Sequence, residues 1–287
     1  MSTDVLAKLD PYQISHLEIQ TRKHTGRKIT AFITLAIVAF IVHAFINGQI
    51  EWDVVGEFLF APAIMDGLTN TIVMTICAMF VGLVLGVVIA IMRISGNPVL
   101  ITIATGYVWI FRGAPALLQL LLWFNLALIF PTIGLPGFFE VRTVDVMTPF
   151  VATMLGLGIQ QGAYTSEVVR SGLLAVDVGQ YEAAKTLGMT QMKMLRRIVL
   201  PQAMRVMVPP IGNEVIGMVK LTSLASVIQF SEILHNAQII YFANTRVLEL
   251  LLVASFWYLA VVTILSIGQY YIERYFGRGH RNANDNN

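Results

Sequence analysis

An unbroken run of about twenty apolar residues must either be buried wholesale or cross a bilayer, whose hydrocarbon core is roughly 30 Å thick. Six candidate runs occur in this chain. Ile29 to Asn47 is broken only by His43, and Gly67 to Met92 carries no charge. Val99 to Phe130 is interrupted by Arg112-Gly113-Ala114-Pro115, and Val146 to Thr165 follows it. Arg205 to Leu221, the weakest, contains Pro209-Pro210, Glu214 and Lys220; Val247 to Ile272 is the last. That is too many apolar runs for the core of a water-soluble domain. Composition agrees. Hydrophobic residues make up 56% and charged residues 13%, against about 25% charged in soluble domains, and mean hydropathy is +0.71. A disordered polymer, a nucleic-acid binder and a disulfide-stapled scaffold are all excluded, the last because Cys77 is the single cysteine. The expected fold is an all-α integral membrane protein of six transmembrane helices.

Orientation follows from Lys and Arg, which stay on the cytoplasmic side. Six spans place both tails and two loops on one face. That face holds all but three of the 19 basic residues. They comprise the tail set from Lys8 to Lys28, Arg93, Arg112, the run from Arg170 to Arg205, and Arg274, Arg278 and Arg281. The exceptions are Arg142, Lys220 and Arg246, and the loop opposite is acidic, with Glu51, Asp53, Glu57 and Asp66. Both termini are therefore expected in the cytoplasm. The polar stretch before the first span, with no A-x-A-like site after it, points away from a cleaved signal peptide. Residues 1–28 read as a cytoplasmic tail, 29–47 as a separate helix, 60–275 as the main transmembrane domain and 276–287, rich in Asn, as a disordered tail. Gly82 and Gly86 form a G-x-x-x-G spacing that allows close helix approach.

The longest cytoplasmic loop carries its own punctuation. Asp177 and Gln180 have capping-box spacing, and a short helix then runs to Leu187. Gly188 supplies the left-handed residue that ends it. Thr190 caps a second helix, Gln191 to Val199, and Pro201 marks re-entry into the membrane. The product is a two-helix elbow with a small-residue face, Ala183 and Ala184, and a basic face, Lys193, Arg196 and Arg197. Such an elbow fits either a groove in another protein or an anionic headgroup layer.

At this loop the chain resembles the membrane-spanning permeases of ATP-binding-cassette importers. The resemblance rests on Glu182-Ala183-Ala184, Gly188 and Ile198-x-Leu200-Pro201. It implies that Glu182, Ala183, Ala184, Gly188, Ile198, Leu200 and Pro201 form the helix that docks on the cytosolic ATPase. Other segments are similar to the amino-acid (histidine, glutamine and arginine) branch: Tyr107 to Pro115, Gly162 to Gly172, Pro201-Gln-Ala203, Pro209 to Glu214 and Lys220 to Leu224. The likeness covers about residues 60 to 275. It implies a five-helix core, with the Ile29 to Asn47 helix as an addition. Its implied partners are an ATPase dimer, an extracytoplasmic solute-binding protein and a second permease, identical or related, all at the cytoplasmic (inner) membrane and its lipid. Two positions depart from the branch pattern: Leu221 stands where Asp is usual, and Ala114 where Thr is. With that carboxylate gone, neutral or acidic amino acids are expected as cargo ahead of lysine or arginine.

Energy must come from elsewhere, since the dipeptide Gly-Lys of a phosphate-binding loop never occurs. ATP and magnesium are expected on the partner ATPase, with no cofactor on this chain and no metal motif. The rival is a secondary transporter or channel working without an ATPase, but the inverted repeats with paired broken helices common in such carriers are not apparent. Charges inside a membrane are costly and mark function. Pro209-Pro210 should break or kink the helix just before Glu214. Asn213, Glu214, Lys220, Thr222 and Ser223 are then candidates to line or gate a hydrated path. Glu214 reads equally as one half of a structural ion pair. Glu167 and Arg170 read as structural or coupling residues, and Arg112 as structural.

Overall fold

The computed structural model describes residues 25–48, 50–135 and 139–277. The tail expectations for residues 1–24 and 278–287 lie outside these. The chain divides into two units, residues 1–50 and 51–287. The first contributes one described helix, α1 (Thr25–Ile46), with no buried residue along its length. Phe32, Ile33, Val38 and Ile41 stand exposed on different sides of it. A helix apolar all round suits a lipid environment and not water.

The second unit opens with α2 (Trp52–Phe58) and then α3 (Pro62–Ile94). At 33 residues, α3 is about 50 Å long. Gly96, at φ 72°, turns the chain, and the Asn97 side chain accepts from Val99 N at 2.9 Å to start α4 (Pro98–Gly113). Pro115 forces Ala114 out of the helical region, to φ −87°, ψ 141°. The next helix, α5 (Ala116–Phe124), leaves at 102° to α4. The expected third span is therefore a bent pair. A small antiparallel hairpin follows, β1 (Thr132–Leu135) and β2 (Phe139–Arg142), the one departure from helix among the described residues. One turn, α6 (Thr143–Val146), leads to α7 (Pro149–Leu174), where the Thr148 hydroxyl accepts from Val151 N at 3.3 Å.

Helix α7 is the packing centre of this unit. Gly82 and Gly86 of α3 face Gln161 and Thr165 of α7, while Gly158 and Gly162 of α7 face Val81 and Leu85 of α3. The two helices run parallel, and glycine on both sides removes the Cβ atoms that would hold them apart. Among the described residues, four helices are long and apolar enough to cross a membrane, or five with the bent pair α4–α5 as one span. Helix α7 is not among them. Gln160, Gln161, Thr165 and Ser166 lower its apolarity, and all four are buried by protein, so this helix has no need of a lipid-compatible surface.

Beyond α7 come α8 (Val178–Thr186), α9 (Gln191–Met194), a π turn (Leu195–Val199) and α10 (Leu200–Leu221). The Pro209-Pro210 pair does not break α10, which runs continuously past Glu214. The Pro209 carbonyl also accepts from Gln269 Nε2, at 2.8 Å. A 3₁₀ segment (Thr222–Ile228), α11 (Ile233–Asn244) and α12 (Val247–Phe276) complete the fold. Gln229 and Thr245, flanking α11, have φ of 61° and 59°. Met74, Ala78, Leu120, Leu157, Met218 and Ile228 form the central apolar cluster, uniting α3, α5, α7, α10 and the 3₁₀ segment.

Candidate functional site

The elbow forms where the sequence places it, with three differences. Asp177 Oδ1 accepts from Gly179 N at 2.7 Å and starts α8. Gln180 does not close the capping box, because its Oε1 accepts from Gln202 Nε2 at 3.3 Å. Gly188 has φ 67° with open space around a would-be Cβ, so backbone conformation alone selects glycine there. Thr190 Oγ1 accepts from Lys193 N at 3.4 Å. The second helix then loosens into the π turn at Leu195–Val199 and passes straight into α10, so Pro201 sits in the first turn of α10. The small-residue face is split. Ala184 is fully buried against Val169, Met194, Val199, Ala203 and Met207, whereas Ala183 is exposed. Ala184 thus seats the elbow on its own chain. Glu182, Ala183, Gly188, Leu200 and Pro201 face outward with Lys193, Arg196 and Arg197, and Ile198 is half-buried. Leu187 and Met192, two large apolar side chains, stand 78% and 71% exposed beside them.

The five path candidates do not converge. Glu214 is half-buried, and its Oε2 accepts from Gln161 Nε2 and Thr165 Oγ1 of α7, both at 2.8 Å. No ion pair to Glu214 or Lys220 exists among the described residues, so the ion-pair reading of Glu214 is replaced by a carboxylate held by two neutral donors. Asn213 points elsewhere, donating to Glu273 at 3.1 Å; Glu273 lines a cavity of about 420 Å³ with Gln202, Arg205 and Pro209. Lys220 is exposed. Thr222 is fully buried and Ser223 half-buried, and their hydroxyls return to the carbonyls of Val219 and Lys220, both at 2.7 Å. Such back-bonding satisfies the hydroxyls locally.

Several polar groups escaped sequence reasoning. Gln161 and Thr165 had a signal, two polar residues at i,i+4 spacing within an apolar run. Glu232 is fully buried. It accepts from Leu234 N at 2.8 Å and His235 N at 2.6 Å, capping α11, and from the Tyr258 hydroxyl of α12. Glu167, by contrast, was read from the sequence as structural or coupling, and it meets Arg93, Arg112 and Arg170, so it ties α3, α4 and α7 together.

These elements make a helical membrane domain with a glycine-packed core, a half-buried carboxylate and a protruding elbow. The comparisons make this specific. Residues 82–278 match the family described as binding-protein-dependent transport system inner membrane component, and the chain belongs to that family. It is 41% identical over 266 residues to the arginine transport system permease protein ArgU of Corynebacterium glutamicum, covering 92% of this chain and 84% of that one. It is 37% identical over 230 residues to the L-cystine transport system permease protein TcyB of Bacillus subtilis, covering 80% and 92%. A crystal structure of an amino acid ABC transporter with histidines superposes with a TM-score of 0.65 at 32% identity, covering 75% of this chain and 94% of that one. The inward-facing methionine ABC transporter MetNI shares the fold, with a TM-score of 0.56 at 20% identity, covering 74% and 95%.

Proposed function

We propose that this chain is the permease subunit of an ATP-driven importer whose cargo is amino acids. The observation that carries the reading is the elbow. Buried Ala184 and left-handed Gly188 hold a surface whose outward residues, Glu182, Ala183, Leu187 and Met192, stand exposed among the described residues. An ATPase dimer, which holds the ATP and magnesium, docks there. Glu182, Ala183, Gly188, Leu200 and Pro201 touch it, and Ala184 and Ile198 position them. An extracytoplasmic binding protein delivers cargo, and a second permease, identical or related, completes the channel. The chain crosses the inner membrane six times with both termini in the cytoplasm, α7 being the span shielded from lipid. The helix expected at 29–47, which starts at Thr25, is the added span, and residues 60–275 are the permease domain. Glu214 lies on the path, held ready by Gln161 and Thr165, while Asn213, Lys220, Thr222 and Ser223 do not converge on it. The cargo expected from Leu221, neutral or acidic, runs against the relatives named for arginine, so arginine and cystine are both assayed first.

The test is reconstitution. Proteoliposomes holding the permease, its ATPase and internal ATP take up labelled amino acid only when the binding protein is added outside. Uptake without the ATPase or without ATP would refute the reading in favour of a secondary carrier.

A further inference from the structure

A cavity of about 420 Å³ lies between the start of α10, the end of α12 and the link that joins α7 to α8. Its size falls within the roughly 300–1,000 Å³ of small-molecule sites. Two residues of opposite charge line it, Arg205 of α10 and Glu273 of α12. They do not pair with each other, and no ion pair involves either of them among the described residues. Neutral donors hold Glu273 instead. Asn213 Nδ2 reaches its Oε1 at 3.1 Å and Gln269 Nε2 reaches the same oxygen at 2.9 Å. Gln269 is itself buried and tied to the Pro209 carbonyl at 2.8 Å. The carboxylate is thus fixed in place with Oε2 left over, and such preorganisation lowers the cost of binding. Opposite charges that share a cavity without meeting leave room for a ligand that carries both signs.

The rest of the lining says what else the ligand carries. Val176, Val206, Pro209 and Phe276 make the other walls apolar, which suits a hydrocarbon side chain. Gln202, also in the lining, joins the cavity to the elbow: its Nε2 donates to Gln180 Oε1 of α8 at 3.3 Å and to the Ile198 carbonyl at 3.1 Å. Arg205, Glu273 and Gly277 are exposed around it. We propose that this cavity binds a free α-amino acid with an apolar side chain. Its carboxylate meets Arg205, whose planar fork of donors matches a carboxylate; its ammonium meets Glu273 Oε2; its side chain packs on Val206, Pro209 and Phe276. The site shares no residue with the Glu214, Gln161 and Thr165 group and needs neither a binding protein nor ATP, so it stands apart from the transport reading.

Equilibrium binding of labelled L-leucine to the purified permease–ATPase complex in detergent, without the binding protein, reads the site. Isopentylamine lacks the carboxylate and isocaproate lacks the ammonium. Each should compete at least about tenfold more weakly than leucine, the factor for one charged hydrogen bond. Both analogues are read on the unaltered chain, so no variant has to fold for the proposal to fail. Arg205→Gln and Glu273→Gln should each weaken leucine binding by a similar factor, while Arg274→Gln, on α12 but outside the lining, leaves it unchanged. No saturable leucine binding, or an analogue that competes as well as leucine, overturns the proposal. Leucine binding that survives Arg205→Gln but is lost in Glu214→Gln puts the amino acid on the transport path and overturns it too. If dioleoyl phosphatidylethanolamine, whose headgroup carries the same two charges, displaces leucine at equal concentration, the cavity takes lipid and the amino-acid assignment fails.

Discussion

Gly82→Ala tests the packing that underlies the intramembrane site. A Cβ at Gly82 would lie 2.6 Å from Gln161 Cγ and 2.7 Å from Gln161 Cβ, against about 3.5–4.0 Å for an ordinary carbon contact. The other side of the crossing is also close, since a Cβ built at Gly158 would lie 2.9 Å from Val81. Helices α3 and α7 must therefore part by about 1 Å, at an overpacking cost of about 1–3 kcal/mol. Function should suffer as well. Gln161 Nε2 donates to Glu214 at 2.8 Å and to Thr165 Oγ1 at 3.0 Å, and pushing Gln161 aside strips one donor from a half-buried carboxylate, a further loss of about 1–3 kcal/mol. The matched control is Gly106→Ala in α4, where nothing lies within 4 Å. There the substitution should be neutral or stabilising by up to about 1 kcal/mol, from helix propensity. Thermal unfolding in detergent and uptake in proteoliposomes are measured on the same preparations. Gly82→Ala should lose both stability and uptake while Gly106→Ala keeps both. If Gly82→Ala behaves like Gly106→Ala, the close approach of α3 and α7 is not what seats Gln161.

Four further outcomes follow from the same geometry. Glu214→Gln retains an acceptor oxygen for Gln161 and Thr165, so unfolding should shift by less than about 1 kcal/mol while uptake falls; full uptake would remove Glu214 from the path. Tyr258→Phe leaves fully buried Glu232 short of one donor and should cost about 1–3 kcal/mol, read as a lower denaturation midpoint. Gly188→Val forces a β-branched residue into the left-handed region at φ 67°, a strain of about 1–3 kcal/mol; ATPase co-purification should drop while membrane insertion persists, and normal uptake would count against the coupling role. Reporter fusions after Arg142 should read outside and those after Arg93 and Gly188 inside, and an outside reading at Gly188 would make the elbow unreachable by an ATPase.

The elbow was largely legible because its signals are local. An N-cap, a left-handed glycine and a capping threonine each act within four residues, and each was read one residue at a time. Burial of Ala184 was not legible, since its neighbours Val169, Val199 and Ala203 come from other elements. Of the Pro209-Pro210 expectation, the break did not occur: the prolines withdraw the N–H donors of the Arg205 and Val206 carbonyls, yet α10 stays continuous. Helix α7 was read as an ordinary span from its apolar start; its polar second half makes sense only once α3, α5 and α10 are seen to enclose it.

By itself, the sequence determined that this chain lives in a membrane, roughly where its helices lie and how the elbow turns. Those properties follow from hydrophobicity, charge and backbone preference, which act residue by residue or over one span. Tertiary structure alone decided that Glu214 is held by Gln161 and Thr165 rather than by a cation, and that Glu167 collects arginines from three helices. It also showed that the Gly82 and Gly86 pair, whose spacing only permits a close approach, packs against α7. Each of these depends on which face of one helix meets which face of another. In a bilayer, where lipid is as apolar as leucine, that choice is made by close packing and polar contacts between helices distant in sequence, and hydropathy along the chain carries no record of it.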